Sequence, residues 1–145
     1  MLFVWANDQA TRAASFHPGR IERDTHKAWF ARRLASTEGR IWIGEIDGGP
    51  IGQVRVDLIA EGRGEVGISV ASEARGRGLA RGLLLAALAA AERELRVTTF
   101  VAAVRPENAR SLALFRGAGF AEESDGQREG IACRILVRRE GPAGP

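Results

Sequence analysis

Tyrosine is absent from the chain, lysine occurs once, at Lys27, and cysteine once, at Cys133. Without a phenol, no tyrosine can act as proton donor in any reaction here. One cysteine excludes an internal disulfide framework, and no His motif accompanies it, so Cys133 reads as a small buried hydrophobe on the last strand rather than a nucleophile. The lone lysine excludes the phosphate loop G-x-x-x-x-G-K-[ST]. A dinucleotide loop is excluded as well, because Gly76-Arg77-Gly78 is followed by Ala80 and Arg81 rather than by a third glycine at the right place. Long apolar runs are missing too. The longest, Leu83 to Ala91, falls well short of the roughly 20 residues that span a bilayer and reads as a buried helix. No cluster of His, Cys, Asp and Glu has metal-ligand spacing, so no metal is expected. No charged leader followed by an apolar segment opens the chain, which makes a cytoplasmic protein the expectation.

Charge of one sign is also scarce. The net charge is +3, carried by arginines spread along the sequence, which points away from nucleic acid as a partner. What is present is material for one core: 45% of 145 residues are hydrophobic, enough for one domain and too little for two. The expected domain runs over 1–140, with Gly141-Pro-Ala-Gly-Pro145 as a frayed tail.

Met1 to Trp5 leads almost directly into a short helical segment from Asn7 to Ser15, capped by Asn7 or Asp8. His17-Pro-Gly breaks it. A second helix is expected from a cap at Asp24 or Thr25, with Ala28, Trp29, Leu34 and Ala35 near helical spacing and Gly39 as its end. Arg40 to Ile46 and Ile51 to Leu58 alternate as strands, and Asp47-Gly-Gly-Pro50 between them signals a hairpin. A third strand, Glu65 to Val70, places Val66, Ile68 and Val70 on one face and Glu65, Gly67 and Ser69 on the other. A helix from about Gly78 to Leu95 and a β-branched strand, Val97 to Val104, follow; the crossover makes that strand parallel to the third. Asn108 begins another helix, which Gly117-Ala-Gly119 stops. Phe120 to Glu123 and Ile131 to Arg138 form a closing hairpin across a loop at Asp125-Gly126.

The chemistry concentrates after the third strand. Arg75-Gly-Arg-Gly-Leu-Ala80 sets two glycines and two arginines ahead of a Leu/Ala helix. The first helical N–H groups lack intrahelical partners, the helix dipole adds partial positive charge, and the arginines add full charges. Such an arrangement suits a pyrophosphate, although a glycine-rich turn on an arginine-rich chain would read the same way.

The pattern R-x-x-G-x-A, carried by Arg75, Gly78 and Ala80, resembles the acyl-CoA signature of the GNAT superfamily of N-acetyltransferases. The stretch Asn108-Ala-Arg-Ser111, then Leu114-Phe115 and Gly117-Ala-Gly-Phe120, resembles that family's second motif. The resemblance implies an α+β fold: a mostly antiparallel central sheet with a splayed parallel strand pair, flanked by helices. It also implies acetyl-CoA as cosubstrate and a small-molecule amine as partner, without a membrane, and it is compatible with a homodimer. By the same resemblance, backbone groups near Val70 and Ala71 contact the pantetheine arm. Amides from Arg75 through Gly76, Arg77, Gly78 and Leu79 to Ala80 hold the pyrophosphate, and Asn108, Ser111 and Phe115 lie beside the thioester. Asn108 reads equally well as a plain helix N-cap.

The segments Trp5 to Arg12, Ser15-Phe16 and His26 to Leu34 resemble the GNAT branch that acetylates amino-sugar nucleotides, as in pseudaminic-acid synthesis. A related branch acts on ribosomal-protein N-termini. The strand and turn that usually precede the Trp have almost no room after Met1. Many relatives use a tyrosine to protonate the leaving thiolate; here the matching position is Phe115, so another group supplies the proton or the thiolate leaves without one. A thiol of pKa near 8.5 is a fair leaving group. Glu65 is the expected base and Ser111 a second catalytic residue, with a solvated strand carboxylate the plainer reading of Glu65. His17 and His26 sit in the acceptor-side region. A CoA-binding module without catalysis is the remaining alternative.

Overall fold

The computed structural model describes residues 1–140; the expected tail at 141–145 lies outside them. Helices α1 (Leu2–Ala6), α2 (Gln9–Ala14) and α3 (Arg23–Ala35) come first. They are followed by β1 (Gly39–Ile46), β2 (Gly49–Ala60), β3 (Arg63–Val70), α4 (Ala80–Leu95), β4 (Thr99–Val104), α5 (Ala109–Gly117), β5 (Ala121–Arg128) and β6 (Ile131–Arg139). The strands form one sheet in the order β1-β2-β3-β4-β6-β5, antiparallel throughout except where β3 lies parallel to β4. This is the expected mixed α+β architecture.

Local chemistry accounts for the elements. Asp47 and Gly48 have φ of 51° and 78°, the left-handed pair that lets a two-residue turn match the twist of β1 and β2. Asp8 caps α2 by accepting from the Thr11 amide, and Asn108 caps α5 by accepting from the Ser111 amide. The Leu/Ala run of α4 buries Leu84, Leu88 and Ala91 completely against Val54, Val56 and Phe100. That burial is the main hydrophobic contribution to the fold. None of the helices among the described residues is long and apolar enough to cross a membrane.

Several boundaries differ from expectation: a helix already forms at Leu2–Ala6, β3 starts at Arg63, β4 at Thr99, and β5 runs on to Arg128. The third helix starts at Arg23 after Glu22 rather than at a cap on Asp24 or Thr25, and Asp24 lies in its first turn, where the dipole favours a carboxylate. Gly39 does not end that helix, which stops at Ala35; it opens β1, where a Cβ would meet Asp57 Oδ1 at 2.7 Å. The last hairpin turns at Glu129 and Gly130, φ 52° and 75°, rather than at Asp125-Gly126. Gly126 sits inside β5 opposite Cys133, where a Cβ would stand 3.4 Å from Ile135, so that glycine serves close cross-strand approach.

Helices α1 and α2 sit at the C-terminal end of β3, whereas α3 leads away to β1 and pairs through Arg33 with Asp57, opposite Glu65. Trp5 is buried against Ala71 and Ala74, with Leu79 packed on the same cluster. Farther along, His26 is only 9% exposed, with its ring 5.4 Å from Phe3 and 5.3 Å from Trp29. Burial lowers the His26 pKa below its ordinary value. The folded state therefore binds fewer protons at this site than the unfolded chain. Its contribution is full above the ordinary histidine value of about 6.5 and is lost as pH falls through it toward the depressed folded value. Urea unfolding of the native protein is expected to show a midpoint that drops between about pH 7.5 and pH 5.5, with a shallower drop in His26→Phe; equal slopes would show that another group is responsible.

Candidate functional site

β3 and β4 pair over three residues only, Arg63 with Thr99, Gly64 with Phe100 and Glu65 with Val101, and then separate. The amide of Ala71 donates to the Ile51 carbonyl at 2.8 Å, continuing the β2–β3 register in which Val70 stands opposite Gly52. In an antiparallel ladder, residues alternate between facing the partner and facing away. The N–H and C=O groups of Val66, Ile68 and Val70 therefore point away from β2. The Val66 amide still belongs to the parallel bridge at Glu65 and Val101; beyond it the Val66 carbonyl and the groups of Ile68 and Val70 face the gap that β4 leaves. Their side chains lie on the α4 face of the sheet. Apart from the Val70 carbonyl, which accepts from Arg75 Nε, this strip of backbone has no protein partner, and flanked by a second diverging strand it suits an extended, amide-bearing arm.

Beyond this gap a single turn at Ser72–Ala74 leads to Gly76 and Gly78, with φ of 75° and 71° and nothing within 4 Å of where a Cβ would stand. Such a backbone is open to glycine and strained for other residues. The amide of Arg75 donates to the Ser72 carbonyl, whereas no amide from Gly76 to Gly82 donates to a protein acceptor among the described residues. These free donors and the N-terminus of the 16-residue α4 make a cradle that fits a pyrophosphate. Arg77 and Arg81 are exposed beside it.

The Arg75 side chain is elsewhere. Its Nε donates to the Val70 carbonyl at 3.0 Å, and its Nη2 lies 2.8 Å from Asp8 Oδ2 and 3.3 Å from Thr11 Oγ1. Hydrogen bonding from Arg75 holds the Asp8 carboxyl below the usual carboxylate range. Ala71 is 1% exposed and its amide is occupied by Ile51. Leu79 packs toward Trp5, and Ala80 begins α4. On α5, Asn108 spends its side-chain oxygen on the cap, and Ser111 sits in the first turn with its hydroxyl in no hydrogen bond among the described residues. Phe115 is 4% exposed in the core, edge-on to Phe120 at 5.0 Å.

The opposite face of β3 is polar. Glu65 Oε1 accepts from Arg128 Nε at 3.3 Å and Nη2 at 3.2 Å. Across the ladder, Arg55 lies over Gly67, with its Nη2 3.0 Å from where a Cβ would be. Arg55 Nε is 3.4 Å from Asp57 Oδ2, and Asp57 also pairs with Arg33 of α3. Gln53 Nε2 donates to Ser69 Oγ at 3.4 Å. Burial lowers the Arg55 pKa, opposed by Glu65, and burial with the nearby Arg55 charge brings Arg33 down to about 10, which leaves Arg33 protonated at neutral pH. Three arginines against two carboxylates leave this face with a positive excess. Glu65 and Ser111 share no hydrogen bond; the structure gathers Glu65 with Arg55 and Arg128 instead. Sequence reasoning missed both arginines, though Gln53, Arg55 and Asp57 alternate with Val54 and Val56 and so share a face with Glu65 by period alone. Among the described residues no group of three or more His, Cys, Asp and Glu is placed to hold a metal ion.

The Acetyltransferase (GNAT) domain family matches residues 1–121. No curated protein matches the chain. Among solved structures, the spermidine N-acetyltransferase of Vibrio cholerae in complex with CoA and spermine has a TM-score of 0.83 at 19% identity, covering 96% of this chain and 88% of its own. An aminoglycoside acetyltransferase in complex with coenzyme A has a TM-score of 0.81 at 18% identity, covering 96% and 87%. An uncharacterized protein from Bacillus halodurans has a TM-score of 0.84 at 18% identity, covering 96% and 77%. At these identities the structural likeness concerns the fold, and the family match over most of the chain settles membership. The open strand edge, the glycine cradle and that match together place the chain in the GNAT superfamily of acetyl-CoA-dependent N-acetyltransferases.

Proposed function

We propose that the protein acetylates a primary amine on a small molecule that also carries negative charge, with amino-sugar nucleotides as the acceptor class. The observation that carries this reading is the pair of arginines, Arg55 and Arg128, around Glu65 on the polar face of β3. The named acceptors of the neighbours are spermidine and aminoglycosides, which are polycations; a face with a positive excess repels those and attracts a phosphate-bearing sugar.

In this reading the free amides of Gly76, Arg77, Gly78, Leu79 and Ala80, together with those of Arg81 and Gly82, hold the pyrophosphate, with Arg77 charge nearby. The Val66 carbonyl, the Ile68 backbone and the Val70 amide receive the pantetheine arm, and Ala71 closes its path. Glu65 keeps Oε2 free of Arg128 and accepts the proton that the amine loses as its nitrogen attacks the thioester carbonyl. The C–S bond breaks and the thiol's low pKa lets sulfur leave without a tyrosine acid. Asn108 fixes the start of α5 so that the Ser111 hydroxyl and the Phe115 ring stand in one register.

The test is free-thiol release from acetyl-CoA with a panel comprising an amino-sugar nucleotide, spermidine, kanamycin and a peptide N-terminus. The amino-sugar nucleotide is expected to turn over fastest. Arg128→Gln is expected to cut its kcat/KM by about 10- to 100-fold, as losing a hydrogen bond to a charged group costs about 1.5–3 kcal/mol, with the KM for acetyl-CoA unchanged. Faster turnover of spermidine or kanamycin would overturn the acceptor class. Preference for the peptide would favour the N-terminal branch, and CoA binding without any turnover would favour a non-catalytic module.

A second measurement isolates the cradle. Gly78→Glu adds a carboxylate where free amides converge, and the backbone there has a φ of 71°. Calorimetry should find CoA binding weakened at least about 100-fold, combining charge repulsion with backbone strain. Unchanged affinity would contradict the assignment of this loop to the pyrophosphate.

A further inference from the structure

Helix α2 is tied at each end to a different side of the open gap. At its start, Asp8 and Thr11 hold the guanidinium of Arg75, which also donates to the carbonyl of Val70, the last residue of β3. At its end, the carbonyls of Ala13 and Ser15 accept from Nη1 of Arg105 at 2.8 and 3.1 Å, and Arg105 directly follows β4. Glu107 anchors Arg105 by a second pair at 2.9 Å. Trp5, packed on Ala71 and Ala74, fixes the chain just before α2 to the same end of β3. No other hydrogen bonds among the described residues join the segments that follow the two diverging strands to a common element.

We propose that α2 is a strap across the diverging ends of β3 and β4, and that Arg75 and Arg105 are positioning residues that set the width of the pantetheine gap. Arg75 then acts on CoA through Val70 and α2 rather than as a phosphate ligand. The inference rests on the reading of the gap as the CoA site. A planar, forked guanidinium is needed at both anchors because each must satisfy acceptors in different directions, which an ammonium cannot do with the same geometry.

Two features separate this role from a phosphate contact and from general loss of structure. Asp8 neutralises Arg75; if Arg75 served the phosphates, Asp8→Asn would release it and tighten CoA, whereas a loosened strap weakens CoA. Asn still caps a helix, so α2 itself is preserved. Arg105 lies at the β4 side, away from the glycine cradle, so its loss should affect the pantetheine arm and spare the nucleotide half.

The experiment is calorimetric titration of native protein, Asp8→Asn, Arg75→Lys and Arg105→Gln with acetyl-CoA and with 3′-phospho-ADP, which has the diphosphate but no pantetheine. Each variant is expected to bind acetyl-CoA about 10-fold more weakly, and Asp8→Asn and Arg105→Gln to bind 3′-phospho-ADP within about twofold of native, on the scale of one lost charge-assisted contact. Tighter acetyl-CoA binding by Asp8→Asn, full affinity in Arg75→Lys, or equal losses for both ligands would overturn the strap. If Arg105→Gln fails to fold, the sign of the Asp8→Asn effect decides alone. Native protein that binds neither ligand would instead refute the CoA site itself.

Discussion

The short pairing of β3 with β4 is the constraint on which the rest of the structure depends. At Gly64 a Cβ would stand 2.7 Å from Val56 Cγ1 and 3.3 Å from Val97 Cγ2, so the absence of a side chain leaves room for those two valines over the short ladder. Past the bridge at Glu65 they part, and the Val66 carbonyl and the polar groups of Ile68 and Val70 are left without a strand partner. Unpaired backbone is costly when buried and an invitation to pairing when exposed. The fold keeps this edge open by holding both strand ends from outside the sheet, β3 through Trp5 and Arg75 and β4 through Arg105.

Around that opening, arginine does work that lysine does elsewhere. Arg75 and Arg105 hold backbone carbonyls and carboxylates together, Arg33 and Arg55 share Asp57, and Arg128 holds Glu65. Partly buried guanidiniums keep their charge at neutral pH, as Arg33 does even when brought down to about 10. The polar face of β3 therefore stays cationic while its carboxylates are paired. The α4 face is dry: Val54, Val56, Leu84 and Leu88 are fully buried there, so the sheet is apolar on one face and cationic on the other.

Much of this was legible in the sequence where the cause is local. The glycines of the cradle, the Asp47-Gly48 turn and the caps at Asp8 and Asn108 depend on a few neighbouring residues, and the structure has them. Misreadings arose where glycine serves packing instead of turning. Gly39 and Gly126 both sit in strands at close approaches, and the displaced hairpin turn hid Arg128, whose reach to Glu65 spans 63 positions. The strap was illegible for the same reason. Arg75 meets Thr11 across 64 positions and Arg105 meets Ala13 across 92, so only the fold brings them together.

Residue-resolved amide exchange by NMR, with and without acetyl-CoA, tests most directly whether the open edge of β3 receives the pantetheine arm as a strand would. Added acetyl-CoA should slow exchange at Ile68, Val70 or both, whose amides face the gap. It should leave Glu65, Gly67 and Ser69, already paired with β2, as they were. Protection that ignores this alternation, or none at all along β3 while acetyl-CoA is bound, would contradict it.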